Sequence, residues 1–268
     1  MSTTVVIERG SAAEAFSRQS ASFDAIDAAN PLIGWVRDRV RAQALRSMMP
    51  GERLLELNAG TGIDSVFFAE RGLDVLATDV APGMIAQQEL KLQNTAAKWT
   101  PMQCSYLELK ALGEARFHHV FSNFGGLNCT DRLDLVLHGI DRVLLPNGTC
   151  TLVIMPRFSP WEVVTLIKGD LKLAFRRFRK HTPAQLEGLS FPCYYYSPVY
   201  VKKHLGIGYE VKEHRALSLI VPPPHMERFP NRFPALFNAL AWVEDRIASL
   251  PLLSNWGDHF VITLRKRP

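Results

Sequence analysis

The chain's hydrophobic pattern changes period along its length. From Ala13 the apolar residues fall at helical spacing, with Ala15 and Phe16 followed by Phe23 and Ile26. Residues 1–12 show no such rhythm and read as a poorly ordered lead. A second helix is predicted from about Pro31 to Met49, where Ile33, Val36, Val40, Ala44 and Leu45 recur and Pro50-Gly51 stops the run. From Arg53 the pattern becomes strand, turn, helix, repeated. Strands are expected at 53–58, 74–79, 100–105, 118–123 and 149–155. Helices are expected at 63–71, 82–94 and 131–144, with Pro146-Asn147-Gly148 as a turn before the fifth strand. Residues 157–196 contain no convincing strand, and a helix opens at Pro160-Trp161-Glu162. A short helix from Ser197-Pro198, a strand at 209–216, a helix near 233–249 and a strand at 259–264 complete the chain.

Alternating β and α elements imply a doubly wound, mostly parallel seven-stranded α/β sheet with helices on both faces. A long helix before the final strand implies that this strand runs antiparallel. The economical division is one domain. Residues 1–50 form an N-terminal helical cap and 51–156 a ligand-binding core. Residues 157–200 form an inserted helical cap, and 201–268 the closing helix and strands.

Composition narrows the class without naming it. Among 268 residues, 47% are hydrophobic and 21% charged, an ordinary globular balance. The four cysteines are widely spaced with no C-x-x-C pair, which argues against a zinc ribbon or dithiol site and for reduced thiols in a cytoplasmic protein. No apolar run approaches the roughly 20 residues that span a bilayer. Net charge is +5, and the segment 168–180 alone carries +5: Lys168, Lys172, Arg176, Arg177, Arg179 and Lys180 against Asp170. The charge therefore reads as one basic patch on a near-neutral body. Leu171, Ala174, Phe175 and Phe178 share one face of it, a pattern that suits a solvated face or contact with a membrane surface. Nucleic acid has thin support, because no base-stacking platforms accompany the patch.

The candidate chemistry centres on Arg53-Leu54-Leu55-Glu56-Leu57-Asn58-Ala59-Gly60-Thr61-Gly62, a strand ending in a small turn before a helix. Such a turn brings backbone N–H groups close to a nucleotide-like ligand. Seventeen residues after Gly62 the next strand ends on Asp79, whose carboxylate can accept both hydroxyls of a ribose. A dinucleotide site would want G-x-G-x-x-G, but Ser65 stands at the third glycine position, which favours a ligand without a diphosphate. Asp64, just past the turn, is expected to face solvent at the helix start. No histidine announces itself as a general base.

The run Leu54–Gly62 resembles the first motif of the class I S-adenosylmethionine-dependent methyltransferases, and Asp79 falls where that family's ribose-binding acid falls. Phe121–Asn128 resembles the fourth-strand motif, and Leu144-Leu145-Pro146-Asn147-Gly148 the stretch before the fifth strand. The resemblance covers residues 50–156 and extends to the helix–strand ending. It is closest to the quinone- and natural-product-modifying members. It implies S-adenosyl-L-methionine as cosubstrate and methyl transfer to O, N or C of a small or lipid-like molecule. Its implied cosubstrate residues are Glu56, Asn58, Ala59, Gly60, Gly62, Asp79, Ser105, Tyr106, Asn123 and Phe124. Ser105 stands where the family carries an adenine-binding Asp, and Asn58 and Ala59 replace smaller residues of the turn. Trp161, Tyr194, Tyr195 and Tyr196 are the candidate acceptor-pocket residues. A non-catalytic binding protein and an RNA or protein methyltransferase are the alternatives. Against the nucleic-acid group, Asn123-Phe124-Gly125-Gly126 lacks the prolines of a D/N-P-P-Y/F motif.

Overall fold

A computed structural model describes residues 3–167, 171 and 175–268, without the side chains of 3–11 and 165–167. Lys168, Asp170, Lys172 and Ala174 of the basic patch lie outside the described residues.

Helix α1 (Thr3–Ala29) leads directly into α2 (Pro31–Leu45). Helix α1 begins ten residues before the apolar rhythm, so the expected disordered lead is corrected. Once a helix is nucleated, each added residue gains a hydrogen bond at small cost, and no proline interrupts 3–12. The break between the two helices is local: the Asn30 side chain accepts from the N–H groups of Leu32 (3.0 Å) and Ile33 (3.3 Å), and Pro31 takes the first helical position.

The sheet contains β1 (Arg53–Leu57), β2 (Asp74–Asp79), β3 (Thr100–Gln103), β4 (Phe117–Ser122) and β5 (Leu144–Ile154) as parallel strands. Helices α3 (Ile63–Ala69), α4 (Pro82–Gln93) and α5 (Leu133–Val143) connect them. The expected Pro146-Asn147-Gly148 turn becomes a bulge inside β5. Asn147 is left-handed there, and the register against β4 jumps between Phe117 and His119.

After β5 come α6 (Pro160–Ile167), a hairpin of β6 (Thr182–Leu186) and β7 (Leu189–Cys193), and α7 (Pro198–Leu205). The hairpin corrects the expectation of a purely helical cap. Glu187 and Gly188 both have positive φ, 48° and 74°, the requirement for a tight two-residue hairpin turn. Pro183 and Pro192 hide the signal in the sequence, yet they pair with each other in a two-stranded ribbon where both strands are edges.

The chain closes through β8 (Tyr209–Leu217), α8 (Phe229–Arg232), α9 (Pro234–Ile247) and β9 (His259–Lys266). Strand order is β3-β2-β1-β4-β5-β9-β8, with β9 antiparallel to both neighbours. The seven-stranded sheet and its antiparallel last strand are as the sequence predicts. Alternation in β1 sends Leu55 and Leu57 to the core under α5, and Leu54 to the opposite core under α2 and α3. Glu56 therefore points to the α2–α3 side with Leu54. Order reverses at β1 and β4, the switch point where open sheets bind ligands beyond their strand ends.

Helix α1 crosses α4 at this edge. A Cβ on Gly83 would lie 2.7 Å from the Ser17 carbonyl oxygen, and the Gly83 N–H donates to Ser17 Oγ at 3.2 Å. The two nearest atoms belong to the α1 backbone, which cannot yield as the neighbouring Ser20 hydroxyl can. Gly83→Ala is expected to cost about 1–3 kcal/mol of stability through this clash, read as a lowered Tm in thermal unfolding, whereas Gly113→Ala tests only the cost of its positive φ.

Candidate functional site

Loops at the ends of β1, β2, β3 and β4 enclose a cavity of about 320 Å³, roofed by α1. Its lining includes Glu56, Asn58, Ala59, Gly60, Asp79, Ser105, Tyr106, Asn123 and Phe124, so the structure brings these predicted residues together. Gly62 does not line it. It starts α3 in the left-handed conformation, with φ 81°.

The turn is built from both neighbouring strands. Asp79 Oδ2 accepts the Gly60 N–H and Oδ1 the Ala81 N–H, both at 2.9 Å. Burial pushes the Asp79 carboxyl up, and these backbone donors partly offset the shift. Each oxygen keeps a lone pair for a further donor. Gln88 Nε2 donates to the Gly60 carbonyl at 2.8 Å and is itself held by Trp99 Nε1 at 3.1 Å.

Asn58 has φ 45°, a conformation usually left to glycine that asparagine tolerates. Its side chain ties β1 to β4, accepting from Ser122 Oγ at 2.6 Å and donating to the Asn123 carbonyl at 3.1 Å. A Cβ on Gly126 would lie 2.6 Å from this side chain. The Asn at 58 and the Gly at 126 are thus one packing solution. Ser105 receives the Leu107 N–H at 3.2 Å and keeps its own proton to donate.

Beneath the cavity lies an ion network that corrects the reading of Asp64 as solvent-facing. Asp64 is 3% exposed and meets Arg37 at 2.5 Å, Arg41 at 2.6 Å and Asn123 Nδ2 at 2.9 Å. Arg37 also bridges to Asp27 of α1. Burial works to raise Asp64, but the charges of Arg37 and Arg41 outweigh it and hold the carboxyl low. Glu56 receives Ser65 Oγ at 2.5 Å; burial first, and the charge of Asp64 second, push its carboxyl up to about 8. Sequence reading missed Arg37, although it falls among Ile33, Val36, Val40 and Ala44 on the apolar face of α2. A charge on that face calls for a buried partner.

The roof was also missed. Ala12, Ala13, Phe16 and Phe23 of α1 line the cavity, with Met84, Cys129 and Thr130. Phe23 lies over the turn, 3.9 Å from the Cβ position of Gly60. Asp24 bonds the Thr61 hydroxyl and meets Lys91 at 2.7 Å, fastening α1 across the turn.

The four predicted acceptor-pocket residues stand elsewhere. Trp161, Tyr194, Tyr195 and Tyr196 are absent from the cavity lining. Trp161 sits in the first turn of α6 with its Nε1 buried and without a hydrogen-bond partner among the described residues. Tyr194 and Tyr196 belong to the main core, and Tyr195 Oη pairs with Thr182 Oγ1 at 2.8 Å. The tyrosines brace the loop behind the cavity: the Tyr194 N–H donates to the Asn128 carbonyl at 2.8 Å, and Tyr196 Oη donates to the Thr130 carbonyl. The basic patch also changes. Arg177 is 2% exposed, clamped by Glu162 and Asp258, and Arg176 is paired to Glu162 as well. Arg179 and Lys180 stay exposed.

The raised Glu56 carboxyl binds its proton in the folded state at pH values where the unfolded chain has lost it. Its contribution is therefore fully present below about pH 4.5 and is lost as pH rises toward about 8. Glu56→Gln is expected to remove this fall, flattening the stability–pH curve by up to about 1.4 kcal/mol per pH unit in that window, measured by urea unfolding from pH 5 to 8.

Comparison with known proteins agrees with this geometry. The family described as "Methyltransferase domain" matches residues 54–148. A malonyl-[acyl-carrier protein] O-methyltransferase of Serratia marcescens is 33% identical over 142 residues, 53% of this chain and 51% of its own length. The chain thus spans about half the length of that relative. A Burkholderia thailandensis 1,6-didemethyltoxoflavin-N1-methyltransferase, solved with 1,6-didemethyltoxoflavin and S-adenosylhomocysteine, superposes with a TM-score of 0.51 at 18% identity, covering 87% of this chain and 79% of that one. The [4+2]-cyclase SpnF superposes with a TM-score of 0.53 at 18% identity, covering 86% and 79%. At such identities the structures speak for the fold. Residues 54–148, about a third of the chain, thus match the methyltransferase-domain family, and they include the turn, Asp79 and the β4 end that border the cavity.

Proposed function

We propose that the protein binds S-adenosyl-L-methionine in this cavity and transfers its methyl group to an oxygen, nitrogen or carbon atom of a small or lipid-like acceptor. The observation that carries the reading is Asp79. It is a buried carboxylate at the tip of β2, oriented by two backbone N–H groups, facing a cavity at the switch point of the sheet. Residues 51–156 hold the cosubstrate in this reading. Glu56, Asn58, Ala59 and Gly60 form the turn against its amino-acid end, with Gly62 setting the turn's exit. Asp79 takes the ribose diol, Ser105 and Tyr106 border the adenine, and Asn123 and Phe124 border the reacting end.

Once bound, the cosubstrate supplies a methyl group already activated by a positive sulfur. The chain's own residues contribute alignment and a dry enclosure. Phe16, Phe23 and Met84 exclude water from the roof side, and Phe124 from the β4 side, where the Arg37 guanidinium stands 4.5 Å from its ring centroid. Burial pushes the Cys129 thiol up to about 12, which disfavours its thiolate. The Serratia relative's named substrate supports an acceptor outside the nucleic acids.

Titration calorimetry with S-adenosyl-L-methionine and S-adenosylhomocysteine tests the reading. The parent should bind both. Asp79→Ala should lose about 2–3 kcal/mol, roughly 30- to 150-fold in Kd, while Asp79→Asn, which keeps one acceptor oxygen, should lose less. A parent that binds neither compound defeats the proposal.

Contact with an anionic membrane surface is a further part of it, supported by exposed Leu171, Phe175 and Phe178 beside Arg179 and Lys180. No helix among the described residues is long and apolar enough to cross a membrane. Phosphatidylserine vesicles should co-sediment the protein at low salt, less so for Phe175→Ser/Phe178→Ser. Equal sedimentation of parent and variant would remove this part.

A further inference from the structure

The cavity is also lined by residues outside those proposed to hold the cosubstrate. Along α1 its lining runs from Phe23, above the Gly60 turn, back to Ala12. Eleven residues of helix correspond to roughly 16 Å. At the far end the roof is Ala12, Ala13 and Phe16, and the lining residues outside the proposed cosubstrate set include Cys129 and Thr130. None of these five side chains carries a charge; the one further acid on this stretch of the lining is Glu108, which is exposed to solvent. The cavity's paired charges, Arg37 and Asp64, belong to the floor near the turn and are already committed to each other.

The walls of this end are fixed from behind by the cap. Phe16 packs on Phe191 of β7, with ring centroids 5.8 Å apart. Tyr196 holds the Thr130 carbonyl, and the Tyr194 N–H holds that of Asn128. Thr130 Oγ1 accepts the Arg132 N–H at 3.0 Å, which orients the hydroxyl and leaves its proton to donate.

We infer that this end is the acceptor chamber, and that it takes a flat, hydroxylated ring without a negative charge, its size set by Phe16 and its backing residue Phe191. The inference rests on the methyl-transfer reading for its role. Two alanines beside a phenylalanine make a low apolar roof, and a ring fills such a space with little loss of conformational freedom. An anionic acceptor would be desolvated here with only the like charge of Glu108 near the cavity wall, whereas a neutral hydroxyl finds Thr130. Phe191 is a positioning residue, since it acts through Phe16. The cap tyrosines thus shape the acceptor site from outside it.

The test uses the full chain and two probes of equal ring size, 1-naphthol and 1-naphthoate, titrated by calorimetry with and without saturating S-adenosylhomocysteine. The parent should bind 1-naphthol and bind 1-naphthoate at least tenfold more weakly. Phe16→Trp should weaken 1-naphthol at least tenfold, and Thr130→Val and Phe191→Ala severalfold. In Thr130→Val and Phe191→Ala S-adenosylhomocysteine affinity should stay within twofold of the parent, and the Tm of all three variants should stay close to it. Absence of 1-naphthol binding in both conditions, equal binding of naphthoate, or folded Phe16→Trp and Thr130→Val proteins that bind naphthol like the parent would each overturn the inference. Failure of S-adenosylhomocysteine alone, with naphthol still bound, counts against the proposed activity and not against the chamber.

Discussion

The Asp64 carboxylate sits where five elements meet. It starts α3, pairs with Arg37 and Arg41 of α2, and bonds Asn123 at the end of β4. Through Arg37 it reaches Asp27 of α1, and its charge bears on Glu56 of β1. A buried pair rarely adds net stability over apolar packing, because desolvation of both ions offsets their attraction. Its value here lies in geometry. Removing one member would strand the others in a dry interior, so the relative placement of these elements is held tightly at the floor of the cavity.

The cavity follows from that placement. The same switch point that opens a crevice between β1 and β4 is bridged by Asn58, which crosses from one strand to the other under Gly126. The floor is therefore polar and rigid, while the roof is a single helix held by a few contacts. Helix α1 is fastened by Asp24 at the turn and by the close crossing at Gly83. At its other end it leans on the cap hairpin through Phe16 and Phe191. One helix thus covers both the turn end and the far end of the cavity.

The inserted cap does more holding than lining. Arg177, which the sequence places in a basic run, is the buried bolt that joins Glu162 of α6 to Asp258 at the entry to β9. The Asp258 carboxyl is buried, which opposes ionisation, but His259 and Arg177 hold it well below the usual carboxylate range. This ion group anchors the cap to the sheet, and the tyrosines then tie the cap to the loop after β4.

The order of the seven sheet strands and the helices between them, the turn Asn58–Gly62 and the carboxylate at Asp79 were legible in the chain. Each depends on local rules: period, capping, turn chemistry, and the spacing of strand ends. Nine of the ten proposed cosubstrate residues duly line one cavity. Partnerships across the fold were not legible. That Asp64 is buried depends on Arg37, distant in sequence, arriving on the same side of the sheet. The hairpin at 182–193 was masked by two prolines whose missing donors matter only once both strands are known to be edges. The three tyrosines lost the pocket to Phe16 for a related reason. Aromatic content says that a side chain will be buried, but only the packing of α1 over the strand ends decides which ring faces the cavity and which one stands behind its wall.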